Sequence, residues 1–127
     1  MSSPYTTLIT ASELASLRDA FIVDCSHDLA QPEAGQQAYD QAHIPSAIFL
    51  HLDRDLSSPK SGHNGRHPLP DADAFAARLA QLGLRQNQQV VAYDRTGGSF
   101  AVRLWWMLRW LGHDAVAVLD GGWQAWT

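Results

Sequence analysis

A chain of 127 residues, 46% apolar and 17% charged, suits one compact core and leaves little room for a second. Nine Lys and Arg against thirteen Asp and Glu give a net charge of −4; residues 1–64 carry three basic and eight acidic side chains, residues 65–127 six and five. That balance excludes a polybasic, phosphate-neutralising surface, and no apolar run approaches a bilayer span, so neither nucleic acid nor a membrane is an expected partner.

In chain order, Leu8 to Thr10 suggests a brief extended piece. Thr10 or Ser12 can then cap a helix, with Glu13 at the spacing of a capping box after Thr10. Phe21 to Cys25 is a short β-rich apolar run, expected as a buried strand. Gln36 to Ala42 fits a helical turn stopped by Ile44-Pro45, because the residue before proline is pushed toward extended geometry. Ala47 to Leu50 is expected as a second buried strand, and Asp53 to Pro70 as a long loop. Asp71 to Leu82 fits a helix with Phe75, Leu79 and Leu82 on one stripe and Gly83 at its end.

Gln89 to Tyr93 is expected as the third such strand, followed by a loop from Asp94 to Gly98 and a helix from a Ser99 cap to Leu111. Ala115 to Leu119 is the fourth, and Gly121-Gly122 turns into Trp123 to Trp126. Apolar strands alternating with helices predict an α/β fold, a mostly parallel sheet covered on both faces. The helix after Ser99 has only Arg103 and Arg109 as polar residues, about 240° apart around its axis, so it lacks a clean solvent face. It is expected to be sandwiched in the core, with the arginines snorkelling, or partly covered by a partner. The sequence stops inside an apolar-rich element, which suggests a piece of something longer.

Ligands of parallel α/β sheets sit beyond the carboxyl ends of the strands. The most informative such end is Asp94-Arg95-Thr96-Gly97-Gly98-Ser99, where glycines let the backbone curl and a helix start offers unpaired N–H groups to an anion. A plain strand-to-helix turn is the simpler reading of the same residues. His63 and His67 stand four apart, but Gly62, Gly65 and Pro68 argue against a helix and no third ligand is near, so no metal is expected. The lone Cys25 cannot close an internal disulfide, which fits a reducing, cytoplasmic setting, and it is expected as a small buried hydrophobe.

Two segments carry a resemblance. Tyr39, His43, Ile44, Pro45, Ser46 and Ala47 are similar to the N-terminal signature of the rhodanese family, departing at Ser46, where the family usually has glycine. Val118 to Trp126, with Asp120-Gly121-Gly122-Trp123, resembles its C-terminal signature, with Leu119 in place of an aromatic and Ala125 in place of Glu. The Val90 to Tyr93 strand, Asp94 and the Trp-rich helix resemble the first domain of two-domain thiosulfate and 3-mercaptopyruvate sulfurtransferases.

The resemblance implies a rhodanese-like domain of inactive type over residues 8–127, three layers deep, followed by a second domain. Family chemistry passes sulfane sulfur from thiosulfate or 3-mercaptopyruvate through a loop cysteine persulfide to a thiophilic acceptor, without a cofactor. Asp94 stands at that cysteine's position, and a carboxylate oxygen cannot accept and release sulfur in this way. The implied chain is therefore the silent N-terminal half of a sulfurtransferase, its partner the C-terminal domain of the same chain. Asp94 is expected to face the loop amides as a fixed negative charge. His43 either tethers the Ile44-Pro45 turn or contributes across the interdomain interface. A free-standing, inactive protein- or anion-binding module is the other expectation; a phosphatase of this fold would need Cys and a following Arg in the loop.

Overall fold

A computed structural model describes residues 4–52, 54–57 and 69–127. Its elements run β1 (Leu8–Ile9), α1 (Ala11–Ser16), β2 (Phe21–Asp24), α2 (Ala34–Gln41), β3 (Ile48–Phe49), α3 (Ala72–Gln81), β4 (Val90–Tyr93), α4 (Ala101–Trp110), β5 (Val116–Leu119) and α5 (Gly122–Trp126). The five strands form one parallel sheet in the order β1-β5-β4-β2-β3. The expected α/β architecture, with helices on both faces, is what forms.

The reason lies in the period-2 alternation of the three inner strands, every residue of which is buried. Phe21, Val23, Val90, Ala92, Val116 and Val118 point to one face, where α3 adds Phe75 and Leu79 and α4 adds Leu104, Met107 and Leu108. Ile22, Val91, Tyr93, Ala117 and Leu119 point to the other, against Leu14 of α1, Tyr39 of α2 and the indoles of α5. The register sets Val23 opposite Ala92 and Ala92 opposite Val118, which aligns the carboxyl ends of the central strands.

Local signals set several boundaries. The capping box forms as expected: Thr10 Oγ1 accepts from the Glu13 amide at 3.1 Å and Glu13 Oε1 from the Thr10 amide at 2.9 Å. Asp71 caps α3 through the Ala74 amide at 3.0 Å. Other boundaries differ from expectation by a residue or two. Helix α2 starts at Ala34 rather than Gln36, from Glu33, which makes no side-chain cap. Helix α4 starts at Ala101 from Phe100; Ser99 is exposed and is not its cap.

Two positions carry sharp steric demands. Gly35 packs α2 against the end of β2, where a methyl group would overlap the Ser26 carbonyl. Ser46 holds φ +68°, a left-handed conformation that a side chain disfavours. The departure from glycine noted in the first signature thus falls where glycine is the better residue. Ser46→Gly is expected to raise stability by about 1 kcal/mol, read as a higher urea midpoint at unchanged slope. Gly35→Ala is expected to lower it by about 3 kcal/mol in the same assay.

Candidate functional site

Strand β4 sits between β5 and β2, and its carboxyl end delivers Asp94 to the rim of the sheet, 1% exposed. Gly97 and Gly98 follow with φ of +85° and +99°. The curl they permit turns the loop amides inward onto the Asp94 carboxylate. Oδ1 accepts from the amides of Thr96 (3.0 Å) and Gly98 (2.8 Å), and Oδ2 from those of Phe100 and Ala101 (both 2.9 Å). The start of α4 is therefore capped from the end of β4 rather than by Ser99. A full negative charge at a helix N-terminus, holding four N–H groups out of water, is favourable on both electrostatic and hydrogen-bonding grounds.

The second signature meets this loop directly. The Asp94 carbonyl accepts from the Trp123 amide at 3.0 Å, and a Cβ on Gly122 would lie 2.6 Å from that carbonyl oxygen. Gly122, at φ +58°, is thus required twice over: by its backbone conformation and by its closeness to the loop.

Arg95 turns inward on the other side. Its Nε donates to Ser26 Oγ (3.1 Å), and Nη2 donates to Asp24 Oδ2 (3.1 Å) and the Ala42 carbonyl (2.7 Å). The guanidinium carbon lies 4.4 Å from the Trp123 ring centroid. Asp24 is fully buried, and its Oδ1 accepts from the Ser26 amide at 2.8 Å. The one charged residue in the apolar β2 run was the available sign of such a partner, yet sequence reading did not single out Asp24, Ser26 or Ala42. It also missed the buried pair His27 and His51, whose rings meet edge to face at 5.3 Å, with Phe100 5.3 Å from His27.

Cys25 directly follows β2 and is 1% exposed. Burial pushes its thiol well above the ordinary cysteine range, and the charges of Asp24 and Asp94 push the same way. His43 lies on the exposed turn after α2. Its Nδ1 is 2.8 Å from the Tyr39 carbonyl and its ring stacks on Tyr39 at 3.9 Å, so its tether runs to the end of α2. Thr96, Gly97 and Ser99 are exposed around the loop, and Gly98 is buried within it. His63 and His67 lie outside the described residues. Among the described residues no group of three His, Cys, Asp or Glu could hold a metal ion, and no helix is long and apolar enough to cross a membrane.

The sequence pattern of the Rhodanese-like domain matches residues 10–127. The chain belongs to the rhodanese-like family. Among its relatives, the "Probable 3-mercaptopyruvate sulfurtransferase" of Pseudomonas aeruginosa is 49% identical over 124 residues, covering 94% of this chain and 44% of that protein. Thiosulfate/3-mercaptopyruvate sulfurtransferase 2 of Arabidopsis thaliana is 43% identical over 109 residues, covering 85% of this chain and 31% of that protein.

Solved structures agree. The 3-mercaptopyruvate sulfurtransferase of Leishmania major superposes with a TM-score of 0.87 at 34% identity, covering 94% of this chain and 33% of that one. SseA of Escherichia coli superposes at 0.79 and 31% identity, covering 96% and 48%. The chain thus spans less than half the length of these relatives.

This rhodanese-like loop yields two expected outcomes. Asp94→Ala strips four amides of their acceptor and lowers stability by about 3 kcal/mol in urea denaturation, with Asp94→Asn losing less because one oxygen remains. Native Cys25 reacts with iodoacetamide at least roughly tenfold more slowly than an unstructured cysteine peptide, and denaturant abolishes the difference.

Proposed function

We propose that residues 8–127 form the N-terminal, persulfide-silent domain of a two-domain thiosulfate or 3-mercaptopyruvate sulfurtransferase. The cysteine that accepts sulfane sulfur and passes it to a thiophilic acceptor belongs, on this reading, to a C-terminal domain of the same chain. One observation carries it: the inward-turned amides of the loop, the place for an anionic sulfur, are already bonded to the carboxylate of Asp94. Relatives named for this activity, more than twice as long as the matched segment, support the two-domain part.

The chemistry follows from the donor set. Sulfur transfer through an enzyme persulfide needs a thiolate that attacks the donor's outer sulfur and later yields it to the acceptor. A carboxylate oxygen forms no comparably exchangeable bond to sulfur, and four hydrogen bonds lower its nucleophilicity further. Cys25 is no substitute, because burial keeps its thiol protonated and shut away from a donor. The same occupancy weighs against a free-standing anion-binding module: an external anion would have to displace Asp94 from every one of those amides. Here the domain's work is structural, holding a rigid rim against its companion, with His43 on that rim as an interdomain contributor. A lone, buried thiol suits a cytoplasmic setting.

The purified chain is expected to form thiocyanate from thiosulfate and cyanide no faster than the uncatalysed reaction. Incubation with 3-mercaptopyruvate is expected to leave its mass unchanged. A one-sulfur adduct that forms with donor and discharges to cyanide would overturn the reading.

A further inference from the structure

The turn from Ala42 to Ala47 connects α2 to β3 and carries His43 at the surface. It is held from several sides at once. Tyr39 Oη donates to the Ala47 carbonyl at 2.5 Å, and the Ile44 amide donates to Tyr93 Oη at 3.2 Å. The Tyr93 phenol is buried, and that burial is the chief cause of its raised pKa, so it stays protonated. Backbone bonds from the Ala42 amide to the Ala38 carbonyl (3.1 Å) and from the Ala47 amide to the Ile44 carbonyl (2.9 Å) add to these, and Arg95 holds the residue immediately before the histidine through its 2.7 Å bond to the Ala42 carbonyl.

A carbonyl oxygen can only accept, so the 2.8 Å contact between His43 Nδ1 and the Tyr39 carbonyl requires the proton on Nδ1. In the neutral ring Nε2 then carries the lone pair. We infer that Arg95 is a positioning residue: by pinning the Ala42 carbonyl it fixes His43 in the Nδ1–H tautomer and presents Nε2 at the sheet's carboxyl rim as a hydrogen-bond acceptor. The guanidinium suits this task because one planar fork serves Asp24, Ser26 and Ala42 together while its face rests on Trp123. An ammonium in its place has no fork and cannot reproduce that set. The use of this acceptor in sulfur transfer rests on the function proposed above; the positioning itself does not.

The test is a long-range 1H–15N correlation spectrum of the 15N-labelled chain above neutral pH, in which the two ring nitrogens of a neutral histidine separate according to tautomer. In the native chain His43 is expected mainly as Nδ1–H. In Arg95→Met that form falls by half or more toward the Nε2–H form that free imidazole favours, while Ser26→Ala, which spares the bond to Ala42, leaves it unchanged. If Arg95→Met does not fold because Asp24 is left uncompensated, Arg95→Met combined with Asp24→Asn decides, and the shift is expected in the same direction. A native His43 that is mainly Nε2–H, or a folded Arg95 variant with the native tautomer, overturns the inference. Turnover of the full-length protein insensitive to His43→Ala would instead count against the interdomain role of His43 and leave the positioning intact.

Discussion

Where β4 hands over to α4, four amides face away from water and need an acceptor. A buried N–H without a partner costs on the order of 1–3 kcal/mol, so the handover can exist only if something satisfies the group. Asp94 does so with both carboxylate oxygens, from a position one residue past the strand. That single side chain fixes how tightly the loop curls and where α4 begins. Its own carbonyl, bonded to the Trp123 amide, ties the loop to α5 as well. The central strand, the helix on one face and the helix on the other therefore share one residue as their common anchor.

Two carboxylates are buried at this rim, and each is compensated in its own way. Asp94 is met by peptide dipoles and a helix start. Asp24 is met by the Arg95 guanidinium, whose side chain is 19% exposed. Breaking the second pair would leave an uncompensated buried charge, the costly case for ion pairs. The arrangement also has a chemical sense. The cation next to the loop is committed inward, to Asp24, Ser26 and Ala42, and the anion hole is committed to Asp94. Cys25 lies under both negative charges, in a field that opposes its ionisation. A rim whose groups satisfy one another is well made for holding shape.

How much of this was legible depends on how far along the chain each cause lies. The short apolar runs of the three inner strands and the Thr10–Glu13 box are local, and both could be read directly. The loop around Asp94 could also be found, because two glycines between a strand and a helix mark a curl. The cap on α4 could not: Ser99 has the right chemistry at the right distance in sequence, but the fold brings an acid from seven residues before Ala101 and leaves the serine outside. Glu33 makes no side-chain cap, so nothing announced the true start of α2. The Arg95 guanidinium meets its hydrogen-bond acceptors across 53 to 71 residues, and no local window along the chain contains them all. Only the parallel register, with Asp24 set opposite Tyr93, brings the end of β2 beside the residue that follows β4.

Helix α4 lacks the polar outer face common to surface helices. Arg103 folds back to donate to the Leu56 carbonyl, and Arg109 lies over the Trp105 ring. Val102, Trp106 and Trp110 are left outside, the two indoles stacked with centroids 5.9 Å apart. Two parallel chromophores so close in space couple their electronic transitions, so they contribute a near-ultraviolet circular dichroism band that depends on their mutual geometry. The molecule thus carries its own optical gauge of α4, one that reports side-chain order on the helix surface independently of the backbone signal.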